Sequence, residues 1–97
     1  MRVEDDDGVR TITFDRPNVM NAMNLEVATE LADAVAGADP VEHDAIVLTG
    51  DDPAFSAGGD IQAMKEREEG PRESYERVAE TFNRAAAELL NSDVPVV

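Results

Sequence analysis

The run Ser56-Ala57-Gly58-Gly59-Asp60 places small residues where an apolar, strand-like segment gives way to a helix-like one. Upstream, Ala45-Ile46-Val47-Leu48-Thr49 is short and β-branched, and it is bounded by His43-Asp44 and Gly50-Asp51-Asp52-Pro53, a pattern that suits a buried strand. Downstream, Asp60 can cap a short helix from Ile61 to about Arg67. Helix starts expose unpaired backbone N–H groups and carry partial positive charge. Small side chains let a ligand approach the main chain closely. Such a loop can aim an N–H at an oxygen that gains negative charge during a reaction, as an oxyanion hole does. Taken alone, the run reads first as a glycine-rich turn with an aspartate cap.

A second segment, Arg16-Pro17-Asn18-Val19-Met20-Asn21-Ala22-Met23, lies earlier in the chain and gains meaning only with the first. Other candidates point to no chemistry. His43, the only histidine, follows Val41-Glu42 without a neighbouring nucleophile or metal partner, and is expected to face solvent. Asp5-Asp6-Asp7 and Asp51-Asp52 lack the spacing of a calcium loop and read as solvated acidic turns; no metal site is expected. Glu66, Glu68 and Glu69 read as a solvated helix end, and Met64 and Tyr75 as core side chains.

The elements that must position these residues follow from periodicity. Asp5-Asp6-Asp7-Gly8 is a turn signal, and Val9 to Asp15 a strand with Ile12 and Phe14 on one face and Thr11, Thr13 and Asp15 on the other. A short strand over Arg2 to Glu4 can pair with it through the turn. Asn24 is an N-cap, Glu26 suits the first turn, and Leu25, Ala28, Leu31, Ala32 and Val35 fall at helical spacing until Gly37 stops the helix. Beyond the Gly70-Pro71 break, a longer helix from about Arg72 to Asn91 carries the stripe Tyr75, Val78, Phe82, Ala85, Ala86, Leu89 and Leu90. Val94-Pro95-Val96-Val97 begins a further extended segment that needs strand neighbours for its backbone groups. Strand, helix, strand in this order implies an α/β layer with a crossover.

Composition narrows the partners. Twenty-two acidic residues stand against eight basic ones, a net charge of -14, so neither nucleic acid nor an anionic membrane surface is expected as a partner. There is no cysteine, hence no disulfide and no thiolate metal site. The start Met1-Arg2-Val3-Glu4-Asp5 has no apolar signal region, and no apolar run approaches the roughly 20 residues that span a bilayer; a cytoplasmic location is expected. Lys65 is the only lysine, the other basic residues being arginine. An acidic, lysine-poor surface fits a high-salt cytoplasm, where screening relieves its self-repulsion. The melting temperature is therefore expected to rise from low to molar salt, and a flat salt profile would leave only an ordinary acidic protein.

In order and spacing, Arg16-Pro17 through Asn21-Ala22-Met23, then the strand ending Thr49-Gly50, then Phe55-Ser56-Ala57-Gly58-Gly59-Asp60-Ile61, resemble the crotonase superfamily of enoyl-CoA hydratases and isomerases. The first motif is similar to its Arg-Pro-x-x-x-Asn-Ala-Leu signature, with Met23 for Leu, and the second to its Phe-x-Ala-Gly-x-Asp signature. The resemblance covers nearly all of residues 1–97 and implies the N-terminal part of an α/β crotonase-like spiral of ββα units, cut before the second half of the core. It implies an acyl-CoA thioester as substrate, with coenzyme A part of the substrate and no separate cofactor. The backbone N–H of Ala57 would be the first of two oxyanion donors. Gly58, Gly59, Asp60 and Ile61 would line the acyl and pantetheine region, and Ala22 the adenine end through its main chain. The second donor and the catalytic glutamates would lie beyond Val97. Relatives of full length form trimers or dimers of trimers. Asn18 stands where many carry a basic residue; Arg16 could replace it, though a surface charge is the first reading of a strand-end arginine. An inactive interaction module and another reaction on the same scaffold (isomerisation, decarboxylation, thioester hydrolysis) remain as alternatives.

Overall fold

The computed structural model describes residues 1–56, 58 and 71–97. Strand β1 (Arg2–Asp6) turns back on β2 (Val9–Phe14) through Asp7 and Gly8, whose φ angles of 50° and 79° are the positive pair that a two-residue hairpin turn needs. The register sets Asp6 opposite Val9 and Val3 opposite Ile12, so β1 is longer than the segment expected and takes in Asp5 and Asp6. A short 3-10 turn (Pro17–Val19) leads to helix α1 (Leu25–Ala36), then β3 (Ala45–Gly50) and helix α2 (Pro71–Leu90). The sheet order is β1-β2-β3, with β1 antiparallel and β3 parallel to the central strand. On the free side of β3, Val96 bridges Ile46 in parallel, with Ile46 N–H donating to Pro95 at 2.8 Å and Val97 N–H to Ile46 at 2.9 Å. The terminal extended segment thus finds the neighbour its backbone requires.

Helix α1 starts as its sequence dictates. The Asn24 side chain accepts the Val27 N–H at 2.9 Å, and Glu26 occupies the first turn. Val27, Ala28, Leu31, Ala32 and Val35 are buried, and all of these but Ala28 join Ile12, Phe14 and Ile46 of the sheet in one core with Ala85 and Val94. Gly37 ends the helix, its N–H donating to Asp33 O. Thr13 is buried as well, so the end of β2 is covered on both faces rather than one; a central strand has no side reserved for water. The α2 stripe is narrower than expected. Ala85 is buried and Phe82 and Leu89 half-buried, but Ala86 is exposed and Leu90 is 84% exposed. Residues 82, 85 and 89 share a helix face, whereas 86 and 90 are rotated by one position and fall off it. The side chains of Tyr75 and Val78 lie outside the described residues.

His43 corrects another expectation. It is only 7% exposed, because the loop after α1 folds against the hairpin. Its Nδ1 accepts the Asp39 N–H at 3.0 Å, which leaves the ring proton on Nε2, 3.3 Å from Asp5 Oδ1. Asp5 is no free acidic turn either. Arg10 grips both its oxygens, at 2.8 and 2.9 Å, and donates at 2.8 Å to Ala34 O in the last turn of α1. Those guanidinium hydrogen bonds, with the Arg10 charge and the nearby His43, hold the Asp5 carboxyl down to about 2. Among the described residues no helix is long and apolar enough to cross a membrane.

Candidate functional site

Two chain reversals meet at the end of the parallel pair. β2 stops at Phe14, whose carbonyl still accepts the Asp51 N–H at 2.9 Å. The chain then turns through 16–22, where Met20 and Asn21 both stand at φ 55°. Asn21 N–H donates to Arg16 O at 2.8 Å, and Ala22 N–H to Val19 O at 3.1 Å. β3 stops at Gly50, where a Cβ would collide with the carbonyl of Phe55 and lie 2.9 Å from that of Ala54. The loop doubles back so tightly over the strand end that only glycine fits there.

The two reversals are bonded together. The Asn21 carboxamide donates to Asp51 O at 2.8 Å and Ala54 O at 2.5 Å, and accepts the Arg16 N–H at 2.7 Å. Ser56 Oγ donates to Asn21 O at 2.9 Å and accepts the Gly58 N–H at 3.1 Å. Met23 N–H donates to Gly58 O at 2.6 Å. Gly58 sits at φ 90° with open space where a Cβ would stand, so backbone conformation and not crowding selects glycine. From outside, Arg2 forks Asp51 at 2.8 and 2.9 Å, and these hydrogen bonds lower the Asp51 carboxyl from its usual value. Asp51 is therefore paired and not merely solvated.

Of the residues singled out from sequence, Ser56, Gly58, Asn21, Ala22 and Met23 are brought together. Ala57, Gly59, Asp60 and Ile61 lie outside the described residues, as do the helix read over 61–67, Met64 and Glu66, Glu68 and Glu69. Ala22 is 9% exposed, and both its backbone groups are engaged inside the fold: its carbonyl accepts Arg16 Nη1 at 2.6 Å. Arg16 is thus a half-buried brace across its own turn, not the surface charge expected, because its guanidinium reaches back to a carbonyl six residues on. Asn18 is exposed. Phe55 is 55% exposed yet meets Phe14 edge-on, with centroids 5.3 Å apart. A groove of about 510 Å³ between β1 and α1, lined by Met1, Val3, Arg10, Glu30, Asp33 and Ala34, contains none of the candidate residues.

The profile of the family described as enoyl-CoA hydratase/isomerase matches residues 4–97. The chain belongs to that family. Among relatives of the hydratase/isomerase family, human "Enoyl-CoA hydratase domain-containing protein 3, mitochondrial" is 30% identical over 92 residues, covering 94% of this chain and 30% of the relative. Carboxymethylproline synthase of Pectobacterium carotovorum subsp. carotovorum is 34% identical over 98 residues, covering 97% of this chain and 38% of that protein. The solved structure of Pseudomonas aeruginosa AtuE superposes with a TM-score of 0.90 at 32% identity, over 98% of this chain and 37% of that one. The chain therefore spans about a third of the length of these relatives. The ββα start, with its parallel third strand, is part of the α/β crotonase fold. Members named as a synthase, an acyl-carrier-protein isomerase and a chlorobenzoyl coenzyme A dehalogenase show that this family scaffold hosts several chemistries.

Proposed function

We propose that the chain supplies half of an acyl-CoA site, in which the backbone N–H of Ala57 polarises the thioester carbonyl. One observation carries this reading: the residues on either side of Ala57 are anchored to the 21–23 turn, Ser56 through Asn21 O and Gly58 through Met23 N–H. The Gly58 amide is spent on Ser56 Oγ, so a ligand oxygen needs another donor of this loop, and the resemblance of Phe55-Ser56-Ala57-Gly58 to the family motif assigns that part to Ala57. A donor held in place before the reaction pays no reorganisation when charge develops on the oxygen. In an enoyl thioester that charge appears as the carbonyl takes enolate character, the state common to hydration and isomerisation. Gly59, Asp60 and Ile61 would continue the acyl wall.

The adenine contact proposed for Ala22 requires the second lone pair of its carbonyl, since Arg16 holds the first. The reading extends to a cytoplasmic enzyme of high-salt habit that assembles as a trimer or dimer of trimers, with no nucleic-acid or membrane partner and no separate cofactor. Hydration or isomerisation is the reaction of choice; the synthase and dehalogenase relatives favour keeping other acyl-CoA reactions on the same scaffold as the second reading.

Calorimetry of butyryl-CoA against free CoA, with the full-length protein carrying this chain, tests the carbonyl contact. One amide hydrogen bond to the thioester should favour butyryl-CoA by about three- to tenfold, beyond the gain from its alkyl tail measured with S-butyl-CoA. Equal affinity for the thioester and the thioether refutes it. The 97-residue chain alone is expected to hydrate no crotonyl-CoA above background, because neither a second donor nor a paired carboxylate is assigned within it.

A further inference from the structure

Asn21 makes five hydrogen bonds while only 1% exposed: two through its backbone, to Arg16 O and from Ser56 Oγ, and three through its carboxamide. Both Nδ2 hydrogens are used, on Asp51 O and Ala54 O, and Oδ1 takes the Arg16 N–H. The left-handed backbone at φ 55° is what turns this side chain across to the other loop, and asparagine enters that region more readily than other residues with a side chain. Its partners fall in two segments 30–35 residues apart, the 16–23 turn and the 51–56 loop.

The replacements closest in shape or backbone preference each lose part of this set. Aspartate keeps the shape but sets lone pairs against two carbonyls. Glycine keeps the backbone and drops every strut. Alanine drops the struts and also strains the left-handed turn.

We infer that Asn21 is a positioning residue of the acyl-CoA site: its carboxamide sets the spacing between the 16–23 turn and the 51–56 loop and so, through Ser56 and Gly58, the frame on either side of the proposed donor. This rests on the reading of Ala57 as the donor. Asn21 touches no substrate. It acts through Ser56 and the two loop carbonyls, and a shift of about 1 Å at a reacting group is enough to lower turnover roughly 100-fold.

The test compares the full-length wild type with Asn21→Asp, Asn21→Gly and Ser56→Ala, reading kcat and KM for crotonyl-CoA, affinities for butyryl-CoA and free CoA, and the melting temperature. Asn21→Asp and Asn21→Gly should lose about 100-fold in kcat per folded molecule, and hold free CoA within about threefold of wild type. The preference for butyryl-CoA over CoA should shrink in both. Ser56→Ala removes only the link between the Asn21 carbonyl and the Gly58 amide and should lower kcat about tenfold, so it decides the matter if the Asn21 variants do not fold. Variants that melt earlier but keep kcat and the butyryl-CoA preference would make Asn21 a scaffold residue only and overturn the inference. A wild type that neither prefers butyryl-CoA nor turns over crotonyl-CoA overturns the acyl-CoA reading, and this inference with it. An active wild type with unaffected variants overturns this inference alone.

Discussion

Ala57→Pro in the full-length protein is expected to lower crotonyl-CoA turnover by about 10²–10³-fold, the loss typical of removing one oxyanion donor. Proline deletes the backbone N–H and sets its ring Cδ in the place of that hydrogen. It also pushes Ser56 toward extended backbone, which works against the turn that returns its hydroxyl to Asn21 O and to the Gly58 N–H. Ala57→Ser keeps the amide, so it separates the donor from side-chain size and should stay within about tenfold of wild type. Circular dichroism establishes that the proline variant is folded, and stopped-time assays give kcat. Near-normal turnover by a folded Ala57→Pro would remove Ala57 from the chemistry.

The second large effect is expected at Gly50. An added Cβ there meets main chain, the carbonyls of Ala54 and Phe55, and lies 2.9 Å from the Phe55 Cα, so no side-chain rotation relieves it. Either β3 or the 51–56 loop must retreat. Gly50→Ala should destabilise the fold by about 1–3 kcal/mol, the usual cost of overpacking. In the full-length protein, whose turnover is read alongside, that is about 2–4 °C of melting temperature per kcal/mol. The displaced loop would also stretch the Asn21 bond to Ala54 O, now 2.5 Å, so kcat should fall by more than the folded fraction explains. An unchanged melting temperature and turnover would mean that the loop lies farther from the strand end than described.

The legible part of this protein is local. Helix α1 carries its own cap, first-turn acid, apolar spacing and glycine stop within Asn24 to Gly37, and every one of those signals acts over four residues or fewer. The β3 segment is marked by its apolar run, and the hairpin turn by Asp7-Gly8. The α2 stripe was readable in part: the spacing of Phe82, Ala85 and Leu89 marks the packed face, while Ala86 and Leu90 are equally apolar and exposed. Apolar type cannot tell a packed position from one beside it; only the position of α1 does.

The rest depends on partners far apart in the chain. His43 reads as exposed from its neighbours in sequence; the hairpin covers it, with Asp5 38 positions away. Arg10 reaches Ala34 and Arg16 folds back on Ala22, so these two arginines act as half-buried braces, while Arg2 stays exposed and still forks Asp51. The role of Asn21 was hidden for the same reason: its motif places it in a turn, but a motif does not say which carbonyls a carboxamide will meet. Residue type and short-range spacing suffice for helix, strand, turn and family, because propensity, capping and periodicity are properties of neighbours in the chain. Which polar groups become buried and bonded is settled when segments 24 to 33 residues apart close on one another, since a polar group that leaves water must find a partner wherever the packed chain supplies one.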